Sequence, residues 1–367
     1  MFTVNRARWM IKNEQNGACR VVNSMVTYWT MVFSLGLVVM FGFGILKLYT
    51  KLEKLAHEDA PPVAASTGSA MNRRDTPFSL TVSRRTMQSA LGVMWLLDGI
   101  FQLKPQMFSQ AFIQQVILPT SDGQPVWIST MIHWGAHVVA GNLVVWNSLF
   151  ALVQLALGVA LMFNVKVRQT IVASLIWSGI VWIFGEGTGQ LLTGQTLLLN
   201  GAPGAVVIYA LVGIAVFPKK GRNSREWQGS SVRFAQVSLA GLLALGFVLH
   251  LQPVYLTAGG LRQAIMVPWL AQALNSHGAV YSVVLGCIEL ALAIMLFFRI
   301  RLRVAVWLSI VLFTLYWWVG QSFGQIQDPL ATDFNSGLLL VLLAICANPE
   351  LLGHLQSNRE CLEGDPA

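Results

Sequence analysis

The sequence predicts an all-α polytopic membrane protein: two parallel four-helix repeats behind an N-terminal transmembrane helix, about nine spans in all. Three observations carry this. Hydrophobic residues make up 55% of the chain and charged residues 11%, roughly half the charge fraction of soluble domains. Many apolar runs approach the roughly 20 residues that cross a bilayer core, and they lack the dyad alternation of a membrane barrel. Finally, two stretches of chain are written twice. Phe150 to Arg168 lines up with Leu285 to Arg303. The register then continues without a gap through Trp182/Trp317, Gly185/Gly320, Gly189-Gln190/Gly324-Gln325 and Asn200/Asn335. A constant offset of about 135 residues that keeps Trp, Gly, Gln and Asn in step is a duplication, not a shared apolar composition.

The elements follow in order. Residues 1–50 are an N-terminal segment whose apolar run, Ser24 to Leu48, reads as an anchor helix. No small-residue cleavage site follows that run directly, which argues against a removable signal peptide. Residues 51–84 read as a flexible linker, with Pro61-Pro62, Arg73-Arg74 and a second candidate start at Met71. Repeat one covers 85–218, with spans near Met87–Leu103, Asn147–Phe163, Gln169–Gly185 and Gly201–Phe217. A cytoplasmic linker, 219–232, leads to repeat two, 233–349, with spans near Phe234–Leu251, Ala279–Phe298, Val304–Gly320 and Ser336–Ala347. A tail, 350–367, ends the chain. The last span of each repeat is short, which suggests a place near the bilayer rim. The first spans also match, Leu103-x-Pro105 with Leu251-x-Pro253, and proline ends each helix.

The net charge is +8. Arg84-Arg85, Lys166 and Arg168, Lys219-Lys220 and Arg222, and Arg299, Arg301 and Arg303 fall on one side if the spans alternate. The positive-inside rule makes that side cytoplasmic, C-terminus included, in a plasma-membrane protein. The basic balance therefore needs no nucleic acid to explain it. The four cysteines, Cys19, Cys287, Cys346 and Cys361, show no CxxC spacing, against a dithiol enzyme or structural zinc. Cys287 and Cys346 sit in apolar runs and read as small core residues.

Ionisable groups within a bilayer are costly, so each is a functional candidate. The candidates sit where the repeats differ: Asp98 against Gly246, Gln102 against His250, Gln154 against Glu289, and Glu186 against Gln321. Each repeat keeps one Glu and one Gln at the last two pairs, swapped. One reading is an amide–carboxyl network that glues helices together. The other is a polar pocket holding a quinone head-group, a proton or a small anion. Gly185-Glu186-Gly187-Thr188-Gly189-Gln190 is the densest motif. Its glycines allow close backbone approach, and partial burial should raise the pKa of Glu186. His133 and His137 are spaced i, i+4, as a metal pair would be, but lack a third ligand. An amphipathic external helix with an interfacial Trp134 explains them better. His250 has no second facing histidine for haem. No metal or haem is expected.

Two segments carry a family resemblance. Arg85-TMQSALGVMWLLDGIFQL resembles the opening helix of DoxX-type membrane proteins: a basic residue, small residues, then a Gly near the helix end. Leu285-GCIELALAIMLFFRIRLRVA resembles their second helix, a Gly, a Glu, an apolar turn and an Arg. The resemblance covers most of 85–349. This chain departs from the family in being a tandem of two units, and in carrying Gln154 where the second-helix Glu stands. The family includes the DoxD-like large subunit of thiosulfate:quinone oxidoreductase. Membership would imply electron delivery from a sulfur compound to membrane quinone, with a small redox partner subunit in the bilayer.

The leading expectation is thus a membrane component of quinone-linked redox chemistry. Glu186, Glu289, Asp98 and His250 would handle protons. Gln154, Gln190, Gln321, Gln325, Asn200 and Asn335 would bind the quinone. No residue here carries an electron unaided. The alternatives are a non-enzymatic scaffold or partner subunit of a redox or stress complex, and a small-solute transporter. The last lacks Gly/Pro-broken spans in matched central positions.

Overall fold

A computed structural model describes residues 82–218, 226–274 and 276–351. The expected anchor helix, the linker with Met71, Cys19, Cys361, the Lys219–Arg222 cluster and most of the tail lie outside the described residues. Among the described residues all regular structure is helical. The helices are α1 (Arg84–Phe101), α2 (Val126–Gly141), α3 (Leu143–Met162), α4 (Val167–Phe184), α5 (Ala205–Ala215), α6 (Gly229–His250), α7 (Gly278–Phe297), α8 (Leu302–Val319) and α9 (Asn335–Ala347). Each of the eight expected spans within 85–349 coincides with a helix to within a few residues. Five helices, α3, α4, α6, α7 and α8, are long and apolar enough to cross a membrane. This is the signature of a multi-pass helical membrane protein. Helix α1 is also 18 residues long, but it carries Arg84, Arg85 and Asp98.

The described residues lie in one compact unit, of which 82–218 and 226–351 are the first and second halves. In the first, α1 packs along α3 and α4 along α5. In the second, α6 packs along α7 and α8 along α9. The short helices α5 and α9, 11 and 13 residues, pack on each other and against α6. Most of their side chains are buried. The two helices therefore sit in the middle of the bundle. An 11-residue helix spans only about 17 Å, so buried irregular chain completes each one. Thr196, Leu197, Leu198 and Leu199 precede α5, and Phe334 precedes α9, all buried. Non-helical backbone survives at membrane depth only when protein surrounds it.

The two halves use the same local devices. Each interhelical turn has two left-handed residues, Asn164 and Lys166 before α4, Arg299 and Arg301 before α8. Each is closed by one backbone bond of 2.8 Å, Val165 N–H to Ala160 and Ile300 N–H to Met295. Arg85 donates to the terminal carbonyls of α3, Leu161 at 2.8 Å and Met162 at 2.5 Å. Arg233 donates to Phe297 at the end of α7, 2.9 Å. Cations at helix C-termini satisfy carbonyls that the helix leaves open.

The segment between α1 and α3 holds α2, the amphipathic helix expected around His133 and His137, and several short turns. The inner face of α2, Ile128, Ile132, Ala136 and Val139, packs on Met107, Phe112, Ile113 and Ile117. Its outer face leaves Val126, Trp127 and Trp134 exposed. Cys346 is buried, but Cys287 is exposed on α7. The core assignment of Cys287 fails because a lipid-facing helix surface is as apolar as the interior.

The α1–α3 contact depends on two glycines. A Cβ at Gly158 would lie 2.6 Å from Leu96 N and 2.8 Å from the Gly92 carbonyl. Small residues let helix backbones touch in membranes. Gly158→Val is therefore expected to destabilise the fold by about 1–3 kcal/mol, and Gly179→Val, where the space is open, far less. Thermal melts of both variants in detergent check the difference.

Candidate functional site

A cavity of about 290 Å³ lies in the first half. Asp98 and Gln102 reach it from α1, Gln154 from α3, Glu186 from the end of α4 and Tyr209 from α5. Asp333, from the second half, joins them. Its walls are aromatic: Trp95, Trp134, Trp146 and Trp177, with Phe112, Phe150 and Phe184. Helix α2 covers one side, and Trp134, largely exposed, and Ile180, also exposed, face outward there. Phe150 joins Trp146 and Trp177 at ring distances of 6.3 Å and 5.7 Å.

Each polar group is held by its own element. The Tyr209 hydroxyl donates to Asp98 Oδ2, and its ring lies 4.2 Å from that of Trp95. Trp95 is fixed in turn by donating to Ser174, 2.9 Å. Gln102 donates to Asn147 Oδ1 at 2.5 Å, and Asn147 returns a bond to the Gln102 carbonyl at 2.9 Å. Glu186 Oε1 accepts from Val206 N–H, 3.2 Å, in the first turn of α5, where backbone donors are unpaired. The chain reaches that position through a left-handed turn, Gly187 to Gln190. There Gly189 lies so close to the Pro203 carbonyl that no Cβ would fit.

Asp333 arrives on a tethered loop. Lys104, just after α1, donates to the carbonyls of Ile326, Asp328 and Ala331 at 3.3, 2.8 and 3.2 Å. Phe101 packs on Phe334 with ring centroids 5.2 Å apart. Asp333 itself accepts from Asn335 N–H at 2.5 Å and from Thr332 Oγ1 at 2.8 Å. Burial holds the Asp333 carboxyl above its ordinary range. Burial, and then the neighbouring Asp333 charge, push Glu186 up to about 8, against the opposing hydrogen bonds from Val206 and Ala205.

Four buried polar atoms of the lining have no partner: Asp98 Oδ1, Glu186 Oε2, Gln154 Oε1 and Trp177 Nε1. The residues that line the cavity thus carry unpaired acceptors and an unpaired indole donor, among aromatic side chains. No family model matches the chain, and neither a curated protein nor a solved structure matches it.

The other sequence-selected residues lie elsewhere. His250 and Glu289 are buried together in the second half. Glu289 accepts from Tyr316 at 2.8 Å, His250 Nδ1 lies 2.8 Å from Ser282 Oγ, and His250 Nε2 lies 3.6 Å from Glu289 Oε2. Leu198, from the first half, fills the space that Gly246 leaves beside Glu289. The proton-handling set of four therefore divides between two clusters. Gln321 is fully used: it donates to the Leu198 and Leu199 carbonyls and Ser336, and accepts from Gly337 N–H at 2.9 Å. Gln190 donates to the Thr120 carbonyl, 2.7 Å. Asn200 accepts from Leu197 N–H and Asn335 from Ser336 N–H, both at 2.7 Å. Gln325 is exposed. These four amides, with Gln321, line none of the cavity; most hold loop backbone in place. His133 and His137 lie on the exposed side of α2, with His133 Nε2 3.3 Å from Ser121 Oγ. Among the described residues no group of three His, Cys, Asp or Glu is placed to hold a metal.

Asp333 and Tyr209 escaped the sequence reading. A signal existed for Asp333. In the duplication register it aligns with Leu198, another acid facing a neutral residue. Tyr209 lies on an apolar helix and could be found only from its contact with Asp98.

Glu186 makes the fold pH-dependent. The folded chain keeps the Glu186 proton up to about pH 8, whereas an unfolded chain releases it near 4.5. The folded state thus binds more protons between those values, and its stability falls as pH rises through them. Glu186→Gln should flatten the fall of melting temperature between pH 5 and pH 8 that the native protein shows; melts across that range read it directly.

Proposed function

We propose that the cavity binds the ring of a membrane quinone or quinol, and that the protein is a membrane component of quinone-linked redox chemistry. The observation that supports this best is the set of four unpartnered buried atoms on residues that line an aromatic-walled cavity. A quinol hydroxyl supplies what Asp98 Oδ1, Glu186 Oε2 and Gln154 Oε1 lack. A quinone carbonyl accepts from the Trp177 indole N–H. The rings of Trp95, Trp134, Trp146 and Trp177 suit an aromatic ring. The volume lies at the small end of ordinary ligand pockets, about 300 Å³, enough for a ring whose apolar tail runs out past Trp134 and Ile180.

Reduction of a quinone takes up two electrons and two protons. Glu186 and Asp98 are the groups placed to give those protons, and Tyr209 orients Asp98. Glu186, protonated at neutral pH, is in the state that donates to a carbonyl oxygen. The electrons would come from a redox centre on a partner subunit, with a sulfur compound as the donor if the DoxD-like resemblance holds.

The same proposal includes the architecture. The chain would be two parallel DoxX-like four-helix units after an anchor helix, about nine spans, in the plasma membrane with basic turns and C-terminus at the cytoplasmic side. Support comes from paired positions that carry paired roles. Gln102 bonds Asn147 as His250 bonds Ser282. Trp182 donates to the Pro203 carbonyl, and Trp317 to that of Phe334, at 2.8 and 2.7 Å. In the second unit the plugged cluster around Glu289 favours a packing role, as in the scaffold reading.

Purification in mild detergent, followed by solvent extraction, should recover bound quinone. Asp98→Asn and Glu186→Gln are each expected to weaken quinone binding at least about tenfold, the worth of one lost buried hydrogen bond to a charged or acidic group. Glu289→Gln should leave binding unchanged and lower the melting temperature instead. Quinone-free protein, or equal binding in all three variants, would sink the assignment and leave the scaffold.

A further inference from the structure

A second cavity, about 610 Å³, opens at the other end of the second half, beside the α7–α8 turn. Arg299, Arg301 and Arg303 line it, together with Gln228, Val232 and Asn348. All three arginines are exposed, Arg299 and Arg301 on the turn and Arg303 at the start of α8. Asn348 is buried, and its side-chain Nδ2, a donor, has no partner. The rim also carries one acid, Glu350, so the arginines outnumber the carboxylates three to one.

The matching place in the first half shows what is unusual. There the cavity is about 320 Å³ and holds Arg84, Asn164, Lys166 and Arg168. Its groups are committed to the protein. The buried Arg84 guanidinium donates to the Val216 carbonyl at 2.5 Å. Arg168 donates to the Pro218 carbonyl at 3.0 Å, and Gln88 to Asn164 at 3.3 Å. In the second half Val232 stands where Arg84 stands in the first. The slot is left without its cation, the Asn348 amide beside it is unpaired, and three arginines line it.

We infer that this cavity binds the phosphate head-group of an anionic phospholipid. Arginine forks suit phosphate oxygens, and basic pockets between membrane helices recognise anionic lipid head-groups. A lipid, rather than free phosphate, is favoured by what lies beside the pocket. Phe298, Ile300 and Val304 are exposed apolar residues on the same turn and helix start. They give acyl chains a surface continuous with the flank of α7 and α8.

The test uses the full-length protein in mild detergent, with thermal melting as the readout. Phosphatidylglycerol should raise the melting temperature in a saturable way, and phosphatidylcholine should not. The triple variant Arg299→Gln/Arg301→Gln/Arg303→Gln should bind phosphatidylglycerol about a hundredfold more weakly, each arginine contributing roughly fivefold. Val232→Phe, which fills the slot with carbon and adds no charge, should weaken binding while leaving the lipid-free melting temperature near that of the native protein. Equal stabilisation by phosphatidylcholine, or unchanged phosphatidylglycerol binding in both variants, would overturn the inference. Full stabilisation by inorganic phosphate alone would overturn the lipid source. None of these outcomes depends on the quinone cavity.

Discussion

Everything in this protein depends on burying irregular backbone in a helical bundle without leaving its amides and carbonyls bare. The segment before α5 is buried from Thr196 to Leu199, and Phe334 is buried before α9. Each is satisfied by side chains, many from the opposite half. Gln252 accepts from Thr196 N–H at 3.3 Å, and Tyr255 donates to the Gln195 carbonyl at 2.6 Å. Gln321 holds the carbonyls of Leu198 and Leu199. In return Lys104 holds the loop that delivers Asp333. The halves are clasped reciprocally, and unpaired backbone groups at this depth would cost several kcal/mol each.

That exchange of segments decides the chemistry. The crossing residue is Leu198 in one direction and Asp333 in the other. Leu198 enters beside Gly246 and closes the second half around Glu289 with carbon. Asp333 enters beside Asp98 and Glu186, whose neighbours leave a cavity open. One architecture thus yields a filled cluster and an open one. The difference comes from single residues at matched places, as it does at the opposite end of the bundle with Arg84 and Val232.

Much of this was legible in the sequence. Apolar runs placed eight helices correctly, because bilayer thickness fixes their length. The duplication marked Asp98, Gln154 and Glu186 as positions to examine, and all three line the cavity. It also marked His250 and Glu289, which belong to the other cluster. The helix carrying His133 and His137 was expected, but its exposed face, with Val126, Trp127 and Trp134, is as apolar as its buried one. The same ambiguity misplaced Cys287. The conserved-looking amides Gln190, Asn200 and Asn335 repeat because turns need them, so repetition alone could not separate a ligand from a brace.

The sequence by itself determined the helical membrane character, the helix positions and the places where its two aligned stretches differ, because hydropathy and aligned residues are properties of the chain alone. Only the tertiary structure decided which acids meet. Asp333 lies far along the chain from Asp98 and Glu186, and its arrival depends on a loop crossing between halves and on the Lys104 tether. Proximity of that kind follows from packing, which leaves no period in the sequence to read.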